Sequence, residues 1–224
     1  LMKNFLAFLV SISILACFLS SCGNTNKKAF EASKVAYKNV NSAYKTVENY
    51  GSDIYEAWRI GIFDDDEILD EGCSYLAGEL SLSESEIKEG VAYTLAAAGD
   101  GWDNCSEEER AKYRNMADYT FKMMEEDLFS WCVIVVSNSY VANGKVEEIQ
   151  GYLDTAKEQM KELSENYSDY EHYPSLKGYY TTTNSFFNFC QDPTGSFEQI
   201  KTTIESYKTT ARDYKADLDY IFED

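Results

Sequence analysis

Proline occurs twice in 224 residues and histidine once, and basic side chains are outnumbered by acidic ones, 20 to 39. Each scarcity excludes something. Proline removes a backbone donor and collides with the preceding turn, so a chain with only Pro174 and Pro193 leaves long stretches free to run as helix. The single histidine, His172, sits in the joint Glu171-His172-Tyr173-Pro174 and reads as a solvated loop residue. No HExxH, CxxC, GxSxG or phosphate-cradling glycine loop occurs. A net charge of −19 opposes nucleic acid and electrostatic adhesion to anionic lipid. Long apolar runs are scarce too: with the N-terminus set aside, only Leu128–Val136, LFSWCVIVV, is nearly unbroken. A helix apolar all the way round must be covered on every side, so this run is expected at the middle of a central buried helix.

The N-terminus carries the most specific pattern. Met2-Lys3-Asn4 precedes an apolar stretch, Phe5 to Leu19, and then Leu19-Ser20-Ser21-Cys22. A short basic region, an apolar core and small residues before a cut describe a secretory signal peptide, too short and wrongly flanked for a retained membrane span. Its ending resembles the lipobox of bacterial lipoproteins. That resemblance covers the first 22 residues and implies that residues 1–21 are removed and that Cys22 is lipidated, with palmitate among the acyl chains. The domain is then anchored outside the cytoplasm, on the cell membrane or the outer membrane. More than one acyl chain is needed for stable anchoring. An ordinary secreted protein with an incidental Cys22 is the alternative. Removing residues 1–21 takes away Lys3 and no acidic residue, so the net charge goes from −19 to −20. Residues 22–28, including the polar NTNKK, suit a tether. Residues 29–224 are expected to form the folded domain.

Along that domain the apolar residues keep helical spacing. Phe30, Tyr37, Tyr44 and Trp58 recur in sevens, with Val40, Val47 and Ile54 interleaved, which predicts one long helix to about Ile62. Gly51 and Gly61 fall on its stripe and mark close helix contact. Asp64-Asp65-Asp66-Glu67 reads as a break and a new helix whose acidic first turn suits the helix dipole. Capping boxes at Ser83–Glu86 and Ser106–Glu109 open two more helices. The second is expected to carry Tyr113, Met116, Thr120, Met123, the apolar run and Val141, rising until Asn143-Gly144 stops it. Val133–Val136 is rich in β-branched residues, so a strand there is the competing reading. Stripes from Val146 to Tyr170 and from Phe197 to Ile221 give two long helices. A shorter one, with Leu176, Tyr180, Thr183, Phe187 and Cys190, lies between the two prolines. Short joints force neighbours to alternate direction. The expected fold is all-α, an up-and-down antiparallel helical bundle with coiled-coil-like packing.

Outside the signal and the lipobox four cysteines remain, Cys73, Cys105, Cys132 and Cys190. In an exported protein they permit two disulfides. If one helix rises to Asn143, the next descends to Tyr170 and the third climbs to Cys190, then Cys132 and Cys190 lie about 17 and 15 Å below the top. That predicts Cys132–Cys190, and Cys73–Cys105 by elimination. Four reduced, buried thiols are the alternative.

Catalytic candidates are few. Ser42-Ala43-Tyr44-Lys45 matches SxxK but lacks KTG and SDN partners, so it reads as chance. Asp64, Asp65, Asp66, Glu67, Asp70 and Glu71 offer oxygen ligands without EF-hand spacing, and a solvated helix start is the plainer reading. With no nucleophile and base pair and no ligand set, the chain is expected not to be an enzyme and to need no cofactor or metal. Its 18 tyrosines are the compositional oddity. Tyr37, Tyr44, Tyr167, Tyr207 and Tyr214 fall on stripes, whereas Tyr50, Tyr55, Tyr152, Tyr173 and Tyr179 fall off them. A binding face is expected around Tyr173 and Tyr179, where Pro174 limits motion. The function expected is a lipid-anchored extracytoplasmic binding module. Its partners would be the membrane, through Cys22, and an envelope protein or polymer. In layout the chain also resembles the small surface lipoproteins with which prophages exclude other phages, and that is the alternative.

Overall fold

The computed structural model describes residues 26–99 and 101–222; the expected signal peptide, residues 1–21, and Cys22 lie outside the described residues. Among the described residues every regular element is helical: α1 (Met2–Phe63), α2 (Asp65–Glu71), α3 (Cys73–Glu79), α4 (Glu84–Ala98), α5 (Glu107–Met123), α6 (Leu128–Ala142), α7 (Lys145–Asn166), α8 (Tyr173–Gln191) and α9 (Phe197–Phe222). The all-α expectation holds, and Val133–Val136 lies within helix α6. None of the described helices is long and apolar enough to cross a membrane.

Helix ends fall where side chains satisfy free backbone donors. Ser83 and Ser106 each accept from the backbone three residues on, at Glu86 and Glu109, whose carboxylates reach back to the cap N–H. Between α2 and α3, Gly72 turns the chain with φ 58°, a conformation that side chains resist. Pro174 occupies the first turn of α8, where its missing N–H costs nothing.

The central element is α1, not the apolar run. From Ala29 to Ile60 it buries Tyr37, Val40, Tyr44, Val47, Tyr50, Ile54 and Ala57, and it packs against α6, α7, α8 and α9. The heptad stripe is therefore correct, and Gly51 and Gly61 are contact points as expected. A methyl group at Gly51 would collide with the ring of Phe186, and one at Gly61 would sit 2.6 Å from Cα of Phe129. By contrast α6 is covered on one side: Leu128, Trp131, Cys132, Val135, Val136 and Tyr140 are buried while Ile134 and Val141 are exposed. The helix expected from Ser106 through Val141 is also two helices, because the chain leaves α-geometry at Met124 and makes a 3-10 turn, Glu125–Asp127, before α6.

Ring contacts fix the directions. Phe129 meets Trp58 and Tyr140 stacks on Tyr50, so α6 runs antiparallel to α1. Lys145, at the start of α7, lies over the Tyr140 ring, and Gln159, Glu162 and Tyr167 at its end share a cleft with Lys27 and Lys28. Thus α7 continues downward from α6 rather than reversing it, and the two form one broken column. Helix α8 climbs beside α1, with Tyr179 near Tyr37 and Tyr44 and then Cys190 near Gly51. Helix α9 descends from Phe197, stacked on Tyr55, to Phe222, against Phe30. The four columns α1, α6–α7, α8 and α9 alternate in direction, and Asn26 marks their base. Helices α2 to α5 form a lobe on the far half. There α4 lies so close to α6 that a methyl at Gly90 would fall 2.7 Å from both the Ser139 nitrogen and the Val135 oxygen.

Candidate functional site

The series Tyr50, Asp53, Ala57, Ile60 steps by three, four and three along α1, so helical geometry carries a carboxylate into the core. Asp53 is 3 % exposed. Its Oδ1 accepts from the Ser81 backbone N–H at 2.9 Å, and its Oδ2 accepts from Ser81 Oγ at 2.6 Å and Tyr140 OH at 2.8 Å. Burial pushes its carboxyl above the usual range, against the pull of these donors and of the nearby Lys145 charge. Tyr140 is in turn held by its stack on Tyr50, 4.0 Å between centroids, and Tyr50 shares a hydrogen bond with Ser137 Oγ. Burial raises the Tyr50 hydroxyl to about 12 and pushes Tyr140 up as well, with the Asp53 charge adding to the latter. Sequence reasoning missed this cluster. An acid inside an otherwise apolar 3-4 series is the signal that would have found it.

Asp53 also lines a cavity of about 230 Å³ between α1, the end of α3 and α9, with Ser52, Tyr55, Glu56, Glu79, Lys201, Ile204, Glu205 and Lys208. Arg59 ties Glu56 to Asp64 and reaches Glu79 at 3.5 Å. Lys208, whose side chain is 13 % exposed, contacts Glu205 of its own helix at 3.4 Å.

At the base, clefts of about 560, 410 and 200 Å³ surround Asn26 and the α7–α8 joint. Here the expected tyrosine face fails. Tyr179 is fully buried, packs against Tyr37 and Tyr44, and donates to Asn41 Oδ1 at 3.2 Å. Tyr173 is half-buried against the core. Tyr179 lies one residue before a place on the expected stripe, but α8 buries a wider face, Leu176, Tyr179, Thr183, Phe186, Phe187 and Cys190, because α1 and α9 both cover it. Tyr50 is buried for the same reason on α1. His172 sits in the joint with Nε2 2.9 Å from Glu171 and its ring edge-on to Tyr170.

The expected disulfides are not formed: Cys73, Cys105, Cys132 and Cys190 are free thiols. The level argument assumed that α7 reverses α6. Cys190 lies beside Gly51, level with the Tyr50–Tyr140 stack, and Cys132 is two turns from Tyr140, about 12 Å. Cys73 sits at Asp118, which accepts from its N–H at 3.0 Å. Cys105 lies before the start of α5, about 18 Å from Asp118 along the helix, against the roughly 7 Å that a disulfide tolerates between Cα atoms. Burial pushes the Cys73 and Cys190 thiols up, and Cys132 to about 12.

Of the remaining candidates, Lys45 is exposed while Tyr44 beside it is core, so Ser42 and Lys45 flank a packed ring. In the acidic run Asp64 accepts from Tyr75 OH at 2.9 Å and pairs with Arg59 at 2.7 Å, while Asp65, Asp66, Glu67, Asp70 and Glu71 are exposed. Among the described residues no group of three or more His, Cys, Asp or Glu side chains is gathered as a metal would require.

The outer face of α5 differs from expectation. Met116 and Met123, assigned to the core by spacing, are 46 % and 64 % exposed, and Tyr119 between them is 61 % exposed. Thr120 is buried as expected, but Ala117 and Phe121 are buried in place of the methionines. The rotation leaves an apolar stripe on the far lobe, flanked by the exposed Lys112 and Lys122. No protein-family model, curated protein or solved structure matches the chain.

Proposed function

We propose that the chain is a non-enzymatic, lipid-anchored binding module of a bacterial envelope, held by Cys22 and engaging a protein partner through the outer face of α5. The observation that carries this reading is the stripe Met116, Tyr119, Met123 on the lobe farthest from Asn26. Asn26 lies four positions after Cys22, a reach of at most about 14 Å, so an acylated Cys22 keeps the base at the bilayer. From Asn26 to Phe63 helix α1 then carries the chain about 55 Å away from it. Methionine is unbranched and polarizable, which suits a surface that moulds to a partner, and tyrosine contributes rigid contact area at small entropic cost. The buried carboxylate argues in the same direction: all three of its donors are intramolecular, and they fix α1 to the α3–α4 link and α6.

Two experiments test the two halves separately. Labelled fatty acid should attach to the wild-type chain and not to Cys22→Ala, and equal labelling removes the anchor. A photo-cross-linking residue at Tyr119 should give one discrete adduct on intact cells, while the same residue at Lys157 on α7 gives none. Met123→Glu should abolish the adduct without changing the melting temperature. An adduct that survives Met123→Glu removes the α5 face.

A further inference from the structure

Opposite charges line the two walls of the 230 Å³ cavity without an ion pair between one wall and the other. On one wall, α1 and the end of α3 contribute Asp53, Glu56 and Glu79. On the other, positions 201, 204, 205 and 208 share one face of α9 at helical spacing and contribute Lys201, Ile204, Glu205 and Lys208. Each wall is balanced only in part from its own side. Arg59 is one guanidinium shared among Glu56, Asp64 and Glu79, so that wall keeps an excess of negative charge. Glu205 offsets one of the two lysines at most, at 3.4 Å from Lys208. Among the described residues no ion pair crosses from Lys201 or Lys208 to Asp53, Glu56 or Glu79. The two lysines belong to a chain in which acids outnumber bases 39 to 20, so leaving them uncrossed beside three carboxylates is a geometric fact and not a shortage of partners.

The fold itself fixes both walls. Asp53 is pinned by Ser81 and Tyr140, and Tyr55 of the same wall is stacked on Phe197 at the start of α9, 5.2 Å between centroids. Lys208 has its stem buried and its carbonyl accepts from Tyr44 OH of α1. The gap is thus pre-formed, which lowers the cost of filling it. A volume of about 230 Å³ is below the roughly 300–1,000 Å³ of pockets that take drug-sized ligands, so its occupant is small.

We infer that this cavity is a binding site for a small zwitterion of amino-acid size, its ammonium turned to the Glu56 and Glu79 wall and its carboxylate to Lys201 and Lys208. A molecule with one charge satisfies one wall and leaves the other as it was; a molecule with both replaces the ion pair that the walls do not make. The site is separate from the α5 face and does not depend on the lipid anchor.

The test uses the full chain, purified in detergent, and calorimetric titration with glycine, L-alanine, L-serine and γ-aminobutyrate. Ethanolamine and 3-hydroxypropanoate serve as matched probes that each lack one charge of serine. At least one zwitterion should bind saturably, and about tenfold or more tighter than either single-charge probe, the equivalent of one exchanged ion contact. Lys201→Ala and Glu79→Gln change exposed side chains, so the fold survives, and each should weaken that zwitterion about tenfold. Lys157→Ala, on α7, should leave it unchanged. Absence of saturable binding by all four zwitterions, binding of the single-charge probes as tight as theirs, or wild-type affinity in both cavity variants overturns the proposal.

Discussion

Asp53 sits where its helix otherwise places Tyr50, Ala57 and Ile60, and its chemistry follows from that position. A carboxyl harder to ionise when folded keeps its proton to higher pH in the native state than in the unfolded chain. The native state then binds more protons between the ordinary aspartate value near 3.9 and the raised one, and stability falls as pH rises through that window. Compared with Asp53→Asn, the wild type should therefore lose urea resistance from about pH 4 upward and run level once Asp53 is ionised; parallel curves across the window would show that Asp53 titrates normally. Tyr179 sets the opposite lesson. Its position off the expected stripe suggested exposure, yet Tyr179→Ala should destabilise by about 3 kcal/mol or more, as emptying a buried aromatic site does, read as a fall in melting temperature. Thiol reactivity separates the cysteines in the same way. Cys105 is partly exposed and should be alkylated in the native protein, whereas Cys73, Cys132 and Cys190 should react only on unfolding; recovery of a Cys132–Cys190 peptide without reduction would refute the free-thiol state.

Among elements, glycines show where helices touch and where they do not. Replacing an interior helical glycine by alanine gains up to about 1 kcal/mol from backbone entropy and propensity. At Gly151 nothing lies within 4 Å of the added methyl, so Gly151→Ala should raise stability by that amount. At Gly90 the methyl meets backbone atoms of α6 that cannot rotate away, and overpacking at about 1–3 kcal/mol outweighs the gain. Gly90→Ala should thus be destabilising by about 1–2 kcal/mol in denaturant titration, and the opposite signs check both contacts at once. Most helix ends were legible in the sequence because periodicity and caps are local: the heptad from Phe30, the boxes at Ser83 and Ser106 and the breaks at Pro174 and Pro193 all fall where expected, whereas the break at Met124, which no glycine or proline marks, was not legible. Direction was not. Asn143-Gly144 reads as a stop whether the next helix reverses or continues, and only the cleft that Tyr167 shares with Lys27 and Lys28, far away in the chain, decides. The candidate sites suffered from the same limit. A stripe width of one column hides Tyr179 when two neighbours cover a helix, and it buries Met116 and Met123 on paper when the covering helices, chiefly α4, lie on the other face.

For the whole molecule, the order of the chain and the order of its contacts are opposed. Helix α1 is made first, but the helices that cover it, α6 to α9, begin at Leu128 and end at Phe222. Tyr37 donates to Asp219 and Arg212 reaches Glu48 at 2.6 Å, across 182 and 164 residues. Contacts so distant in sequence slow folding, because the loop must close before the contact rewards it. A chain threaded outward from its N-terminus therefore exposes the Tyr37, Tyr44 and Val47 face until its last helix has emerged, and a chain stopped before Phe197 should not fold, giving protease sensitivity over residues 26–63. If Cys22 is acylated while the rest is still passing through, the protein is moored before it has a shape, and the bundle closes at the membrane rather than arriving there complete.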